Sequence, residues 1–210
     1  MSYIDLHSHL LPGIDDGRMS FFNIKKMLKA YKDNGFTAIV FTPHYNNPAV
    51  NTKYHKIEKT FNKVSDLAVK YGLDTYLACE YYISDESAME YRTLFNKYVL
   101  VETSTQKRPE SFLSTIKDIN DKGYTVLLAH IERYAWMDES FALMLKEEYD
   151  VVLTTNAKGI IDLKRKYNTA IVDIITSDNH GEFSLPALVV KELEANADIK
   201  ENYSKFLTNF

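Results

Sequence analysis

Seven short apolar or β-branched runs, separated by segments with helical spacing, constrain this chain more than any other feature. The runs are residues 3–6, 37–42, 75–79, 98–101, 124–129, 150–154 and 170–176. Between them, Ile24, Met27, Leu28 and Tyr31 recur at helical intervals ahead of Asn34 and Gly35, and Phe112, Ile116 and Ile119 ahead of Lys122 and Gly123. Strand thus alternates with helix, the pattern of an α/β protein built on a parallel sheet. The runs AIVFT (38–42) and TVLLA (125–129) do not alternate with polar residues, as expected of strands covered on both faces. A doubly wound sheet and a barrel both satisfy this order. An eight-stranded barrel takes about 250 residues, so a barrel made from 210 residues would be a trimmed one.

With 45% hydrophobic and 13% aromatic residues, the chain can bury one substantial core without a disulfide, and residues 1–210 are expected to form one domain. Two large domains and disorder are excluded. The 25 basic and 29 acidic residues give a net charge of −4, so no overall positive field gathers nucleic acid or anionic lipid. The apolar runs fall far short of the roughly 20 residues of a membrane span, and Asp5 interrupts the N-terminus before any signal-like region forms. A cytoplasmic protein is expected. The single Cys79 cannot form an internal disulfide, which agrees with a reducing compartment. One or two helices are expected at the end of the chain, over 186–195 and 200–210.

Five of the six histidines stand at expected strand ends: His7 and His9 after the first, His44 after the second, His130 after the fifth and His180 after the seventh. Acidic residues occupy matching places. Glu80 closes the third expected strand, Glu102 the fourth and Asp178 the seventh, while Asp16 follows the first in a DDG turn. In parallel α/β folds the loops after the strands open onto one face, so these residues converge although they span the sequence. Any one of them alone would more often be a surface group or a helix cap. Their joint placement is different, because burying nine titratable groups at one pole without counter-charge costs several kcal/mol per group. Imidazole and carboxylate together suit zinc, manganese or iron. Nine candidates, His7, His9, Asp16, His44, Glu80, Glu102, His130, Asp178 and His180, exceed the needs of one ion, so two or three divalent ions bridged by carboxylate are expected.

DLHSHLLPGIDDG (5–17), FTPHY (41–45), ACEYYI (78–83), LAHIERY (128–134) and TSDNH (176–180) resemble the polymerase and histidinol phosphatase (PHP) family. Within it they are most similar to the bacterial capsule-biosynthesis tyrosine phosphatases. The resemblance runs in order from Asp5 to about His180. It implies a distorted (β/α)7 TIM-like barrel with the metal site at the C-terminal ends of the strands, three ions, and manganese foremost. By motif, His7, His9, Asp178 and a bridging Glu80 would hold the first ion, Glu80, Glu102 and His130 the second, and Asp16, His44 and His180 the third. Asp15 is the alternative to Asp16. Asp5 would orient His7 or its strand.

The resemblance also implies hydrolysis of a phosphomonoester by a metal-bridging hydroxide, with phosphotyrosine proteins as substrates, a bacterial tyrosine kinase among them, in capsular or exopolysaccharide regulation. Arg133 would bind the phosphate, and His44 or His180 would protonate the leaving oxygen. Two departures matter: Ile131 stands where the family commonly has proline, and GEFSLP (181–186) lacks the second phosphate-binding arginine found there in many members. Arg18, Lys107 and Arg108 are the substitutes weighed for it. A cysteine phosphatase is excluded, because Cys-x5-Arg is needed and Asp85 follows Cys79 at that distance. Tyr45, Tyr81, Tyr82 and Tyr134 could rim the site but are read as packing residues. The alternatives are a small-molecule phosphatase, such as one acting on histidinol phosphate, and a non-catalytic metal-binding module.

Overall fold

The computed structural model describes residues 2–17, 19–50, 52–85 and 90–208. Nine strand segments pair in parallel throughout: β1 (Tyr3–Asp5), β2 (Phe36–Phe41), β3 (His44–Tyr45), β4 (Asp74–Leu77), β5 (Glu80–Ile83), β6 (Tyr98–Thr103), β7 (Thr125–Leu128), β8 (Val151–Asn156) and β9 (Ile174–Thr176). They lie in the orders β1-β2-β4 and β3-β5-β6-β7-β8-β9. The two groups are continuous. β2 and β3 are one course interrupted at Pro43, which has no N–H to give to a ladder, and β4 and β5 are one course interrupted at Ala78 and Cys79. Across both gaps Ala78 N donates to Phe41 O at 3.0 Å and Glu80 N to Pro43 O at 3.1 Å. Seven courses result.

The last course meets the first. Asp178 N donates to His7 O at 3.0 Å, His9 N donates to Asn179 O at 3.0 Å, and Ser8 and Asn179 form a parallel bridge. This is the distorted (β/α)7 barrel. Helices α1 (Phe21–Asp33), α2 (Tyr54–Ala68), α3 (Phe112–Asp121), α4 (Glu139–Glu148), α5 (Ile160–Lys166), α6 (Leu185–Ala195) and α7 (Ala197–Leu207) surround it, and among the described residues none lies between β5 and β6. No described helix is long and apolar enough to cross a membrane.

Local chemistry accounts for the helix ends. Ser20 caps α1 by accepting from Asn23 N at 3.2 Å, and Gly35, at φ 82°, takes the left-handed turn that returns the chain to β2. Ile24, Met27, Leu28 and Tyr31 form the buried face of α1, as their spacing predicts. Strands β6 and β7 are buried at every residue, which fits their non-alternating sequence.

Some boundaries differ from the sequence reading. The third expected strand is split, and Glu80 opens β5 rather than closing the run before it; His44 likewise begins β3. The expected strand over 170–176 is reduced to β9, because Asn168 accepts from Ala170 N at 3.0 Å and winds Thr169–Ile171 into a 3-10 turn. The last helix starts at Ala197 and ends at Leu207, and residues 209–210 of the expected span lie outside those described.

Asp5 fastens the barrel seam. It is fully buried, and its carboxylate accepts from Tyr31 Oη of α1 at 2.6 Å, from Ser177 N at 3.1 Å and from Ser177 Oγ at 2.5 Å. Toward His7 it faces the backbone, with His7 N 3.5 Å from Asp5 Oδ1. Burial raises the Asp5 pKa, although the Ser177 and Tyr31 donors favour its charged form. Asp5→Ala leaves those donors buried without an acceptor and should lower the unfolding free energy by about 3 kcal/mol in denaturant titration.

Candidate metal centre

All nine side chains singled out as ligands meet at the C-terminal pole of the barrel, around Glu80. Its carboxylate oxygens lie 3.2 Å from Nε2 of His7, His9 and His130, and 2.9 Å from Nδ1 of His44. Glu102 extends the group, 3.2 Å from His44 Nδ1 and 3.6 Å from His130 Nε2. Asp178 Oδ1 is 3.6 Å from His7 Nε2 and 3.5 Å from His9 Nε2. Asp16 Oδ1 is 3.0 Å from His180 Nε2 and 3.8 Å from His44 Nε2. Three sets have all their candidate donor atoms within 4.8 Å of one another: His7, His9 and Asp178; His44, Glu80 and Glu102; and His9, Asp16, His44 and His180.

The donor set fits divalent cations. His44 Nδ1 and Glu80 Oε2 are buried and 2.9 Å apart, yet neither makes a hydrogen bond. The Nε2 atoms of His7 and His9 approach to 3.0 Å. Donors held about 2.1 Å from one ion stand roughly 3.0–3.4 Å from each other, so the His7–His9 spacing suits neighbouring corners of a coordination shell.

Backbone and buried polar groups aim these donors. His130 and Asp178 adopt positive φ, 36° and 47°, a conformation that non-glycine residues hold only when their surroundings impose it. Gly17, the last residue of the DDG turn, has no alternative: a Cβ there would stand 2.2 Å from His9 O. His9 Nδ1 donates to Asp15 Oδ2 at 2.5 Å, leaving its Nε2 lone pair facing Glu80 and Asp178, and His44 N donates to the same oxygen at 3.0 Å. The Asp15 side chain is fully buried while that of Asp16 is 53% exposed, so the adjacent aspartates face different ways. His180 Nδ1 donates to Asp178 O at 3.0 Å and thereby turns Nε2 toward Asp16. Asn47 Nδ2 donates to Glu102 Oε1 at 2.9 Å, and Asn156 Nδ2 to Asp178 Oδ2 at 2.9 Å.

Asn47, Asn156 and the bracing by Asp15 were missed in the sequence. One signal pointed to Asn156: the sixth strand carries no histidine or acid at its end, and this amide stands there. The four tyrosines divide. Tyr81 and Tyr134 are buried, Tyr45 packs on Tyr81 with ring centres 5.5 Å apart, and Tyr82 lines the cavity of about 360 Å³ over the centre. Arg133 reaches the lip of that cavity. Its side chain is 50% exposed, and its guanidinium lies 3.4 Å from Asp178 Oδ2, not against Glu132 or Asp138. Lys107 and Arg108 line a different hollow, and Arg18 lies outside the described residues.

The charges are strongly coupled. Burial opposes a proton on His44, but the Glu102 and Glu80 carboxylates outweigh it and lift its pKa to about 10. The same balance lifts His130 to about 10. Burial would raise Glu80 and Asp178, yet the surrounding imidazoles hold both well below the usual carboxylate range.

Metal binding must displace those protons. Without metal, the raised pKa values of His44 and His130 contribute stability that is complete below the unfolded value of about 6.5 and disappears as pH rises through about 10. The melting temperature of the metal-free protein should therefore fall between about pH 7 and pH 10, and uptake of a divalent ion in weak buffer should release protons. Asp15→Asn removes the carboxylate behind His9 and should weaken metal affinity about 10- to 100-fold in competition with a chromogenic chelator.

The pattern of capsular polysaccharide synthesis proteins, CpsB/CapC, matches residues 3–188. Tyrosine-protein phosphatase YwqE of Bacillus subtilis is 26% identical over 149 residues, covering 67% of this chain and 59% of that protein. Tyrosine-protein phosphatase CpsB of Streptococcus pneumoniae is 31% identical over 140 residues, covering 62% of this chain and 57% of that protein. The chain thus matches less than two thirds of the length of these curated relatives. A crystal structure from work on YwqE and CpsB, described as unique metal-dependent tyrosine phosphatases, superposes with a TM-score of 0.79 at 20% identity, covering 96% of this chain and 90% of the other, which shows a shared fold. On the family match over nearly its whole length, this chain belongs to the CpsB/CapC family of capsular polysaccharide synthesis proteins.

Proposed function

We propose that this protein is a metal-dependent phosphatase that hydrolyses phosphotyrosine in proteins, a bacterial tyrosine kinase among them, and that it acts in the cytoplasm in capsular or exopolysaccharide regulation. The observation that carries this reading is the crowding of nine imidazoles and carboxylates at one pole beside an exposed arginine. The names of the relatives support it. Cys79 offers no competing route. It is buried, and burial pushes its thiol up to about 12, so a thiolate nucleophile is not available there.

In this proposal His7, His9, Glu80 and Asp178 hold one ion, Glu80, Glu102 and His130 a second, and Asp16, His44 and His180 a third, with manganese foremost and zinc or iron as alternatives. Bound divalent ions supply Lewis-acid charge for the phosphoryl oxygens and activate water for attack. Arg133 contributes a planar, two-pronged donor to the phosphate from the rim, exchanging its long contact with Asp178 for the substrate. Asn156 keeps Asp178 oriented during that exchange. His44 or His180 would help protonate the leaving oxygen, a service that a phenolate leaving group needs least.

Purified protein stripped by chelator and reloaded with manganese, zinc or iron is assayed on phosphotyrosine peptide, histidinol phosphate and aryl phosphate. Turnover of phosphotyrosine peptide should depend on metal and exceed that of histidinol phosphate; the reverse order would favour a small-molecule phosphatase. Cys79→Ser should retain near-parent turnover. Arg133→Ala should lose about 2–4 kcal/mol of catalytic efficiency with metal content unchanged, and Arg133→Lys should recover only part. Parent-like rates in both Arg133 variants would remove that residue from phosphate binding.

A further inference from the structure

A second cavity, about 590 Å³ in volume, adjoins the metal centre and shares Arg133 and Asn156 with its surroundings. It lies between the 3-10 turn Ile131–Arg133, the end of β8 and helix α5. Besides Arg133, three cations line it: Lys158, Arg165 and Lys166. Two acids face them. Glu132 is buried and committed to the fold, accepting from Thr155 Oγ1 at 2.8 Å and lying so close over Gly159 that a Cβ there would stand 2.4 Å from its Cγ. Asp162 lies 3.0 Å from Arg165 NH1 within α5, both side chains well exposed. Lys158 pairs outside the cavity with Glu182, each about half exposed. Lys166 Nζ donates to Tyr134 O at 2.6 Å, bracing the chain just beyond Arg133.

This placement is notable against the rest of the molecule. The chain carries a net charge of −4 and its metal pole is lined by carboxylates, yet the lining of the shoulder reached through Arg133 holds four cations and two acids, with Glu182 paired to Lys158 and Asp178 to Arg133 at its edges. Exposed pairs such as Arg165–Asp162 are weak and exchange readily for another anion. A polypeptide whose phosphate is held at Arg133 has the basic shoulder on one side of it, because this arginine lines both cavities.

Resting on the phosphatase reading above, we infer that the Arg133, Lys158, Arg165 and Lys166 cavity is a docking subsite for anionic groups flanking the phosphotyrosine, which makes the protein selective for acidic segments. Carboxylates of flanking Asp and Glu residues supply that chemistry, and a second phosphotyrosine is the competing outcome of the test. Both act through long-range attraction and rim contacts, so the effect falls on encounter and KM rather than on the chemical step.

The test compares the metal-loaded parent with Lys158→Glu/Arg165→Glu on four substrates: aryl phosphate, and phosphotyrosine peptides whose flanks are neutral, rich in Asp and Glu, or carry a second phosphotyrosine. The parent should prefer an anionic-flanked peptide over the neutral one, and the reversal should raise KM for that peptide about tenfold, with kcat and both uncharged-flank reactions unchanged. Which anionic peptide loses more separates carboxylate from phosphate recognition. Lys158→Gln/Arg165→Gln should give an intermediate loss with an unchanged melting temperature, and the parent's preference should shrink as salt rises. Fluorescence anisotropy of the labelled anionic peptide on metal-free protein gives a readout independent of turnover, and its affinity should drop in the reversed variant. If the parent hydrolyses aryl phosphate but does not discriminate between flanks, the subsite is refuted while the phosphatase reading stands. If no substrate is turned over with any metal but the anisotropy difference persists, the phosphatase reading fails and the anionic subsite survives. An equal loss on aryl phosphate would also overturn the inference, since it would mean that the substitutions act on the centre itself.

Discussion

The hydrogen-bonded seam between the first and last strand courses governs this structure. Through Asp178 N to His7 O and His9 N to Asn179 O, it places two histidines from the start of the chain beside an aspartate and a histidine from near residue 180. Both polar sets that include His9 span that seam. Buried Asp5 holds it from below by tying β1 to Ser177 and to Tyr31 of α1. Without closure, Asp178 and His180 would be parted from His7, His9 and Asp16, and of the three polar sets only His44, Glu80 and Glu102 would remain whole.

Closure carries an electrostatic penalty that shapes the rest of the pole. Glu80 alone lies within 3.2 Å of four imidazoles, and such crowding out of water is unfavourable unless charges of opposite sign alternate. The alternation is present: carboxylates hold protons on His44 and His130, while the imidazoles keep Glu80 and Asp178 ionised. A divalent cation held by these donors would take the place of those protons with more concentrated charge. The left-handed backbone at His130 and Asp178 fits this view, because strain of that kind persists where a rigid surround prescribes a side chain's direction.

Charge is distributed unevenly about Arg133. On one side lies the acidic metal cavity, on the other a shoulder of lysines and arginine, and the short turn that bears Arg133 is pinned between them by Glu132 to β8 and by Lys166 to Tyr134 O. The turn follows His130 directly, so whatever positions that ligand also positions the arginine. GEFSLP supplies no second arginine; its Glu182 instead pairs with Lys158.

By itself the sequence determined the class of fold and the chemistry of the pole. Seven apolar runs separated by helical spacing demand a parallel α/β arrangement, since residues covered on both faces cannot alternate with polar ones, and histidines and acids at the strand ends must then share one face. Eight candidate ligands were legible on that ground, and the ninth only as one of the adjacent Asp15 and Asp16. Tertiary structure decided what depends on contacts distant in sequence. Pro43 breaks a course whose continuation is visible only through its neighbour, so Glu80 opens a strand where periodicity placed it at a close. Asp15 and Asp16 are adjacent and chemically identical, and only the approach of His9 and His44 on one side and His180 on the other separates their orientations. Asn47 and Asn156 carry no motif, because an amide that steadies a carboxylate is distinguished by its position alone. The basic shoulder was hidden for the same reason: Arg133 is separated from Lys158, Arg165 and Lys166 by a helix and a strand, and their charges add only once β8 and α5 bring them to one wall.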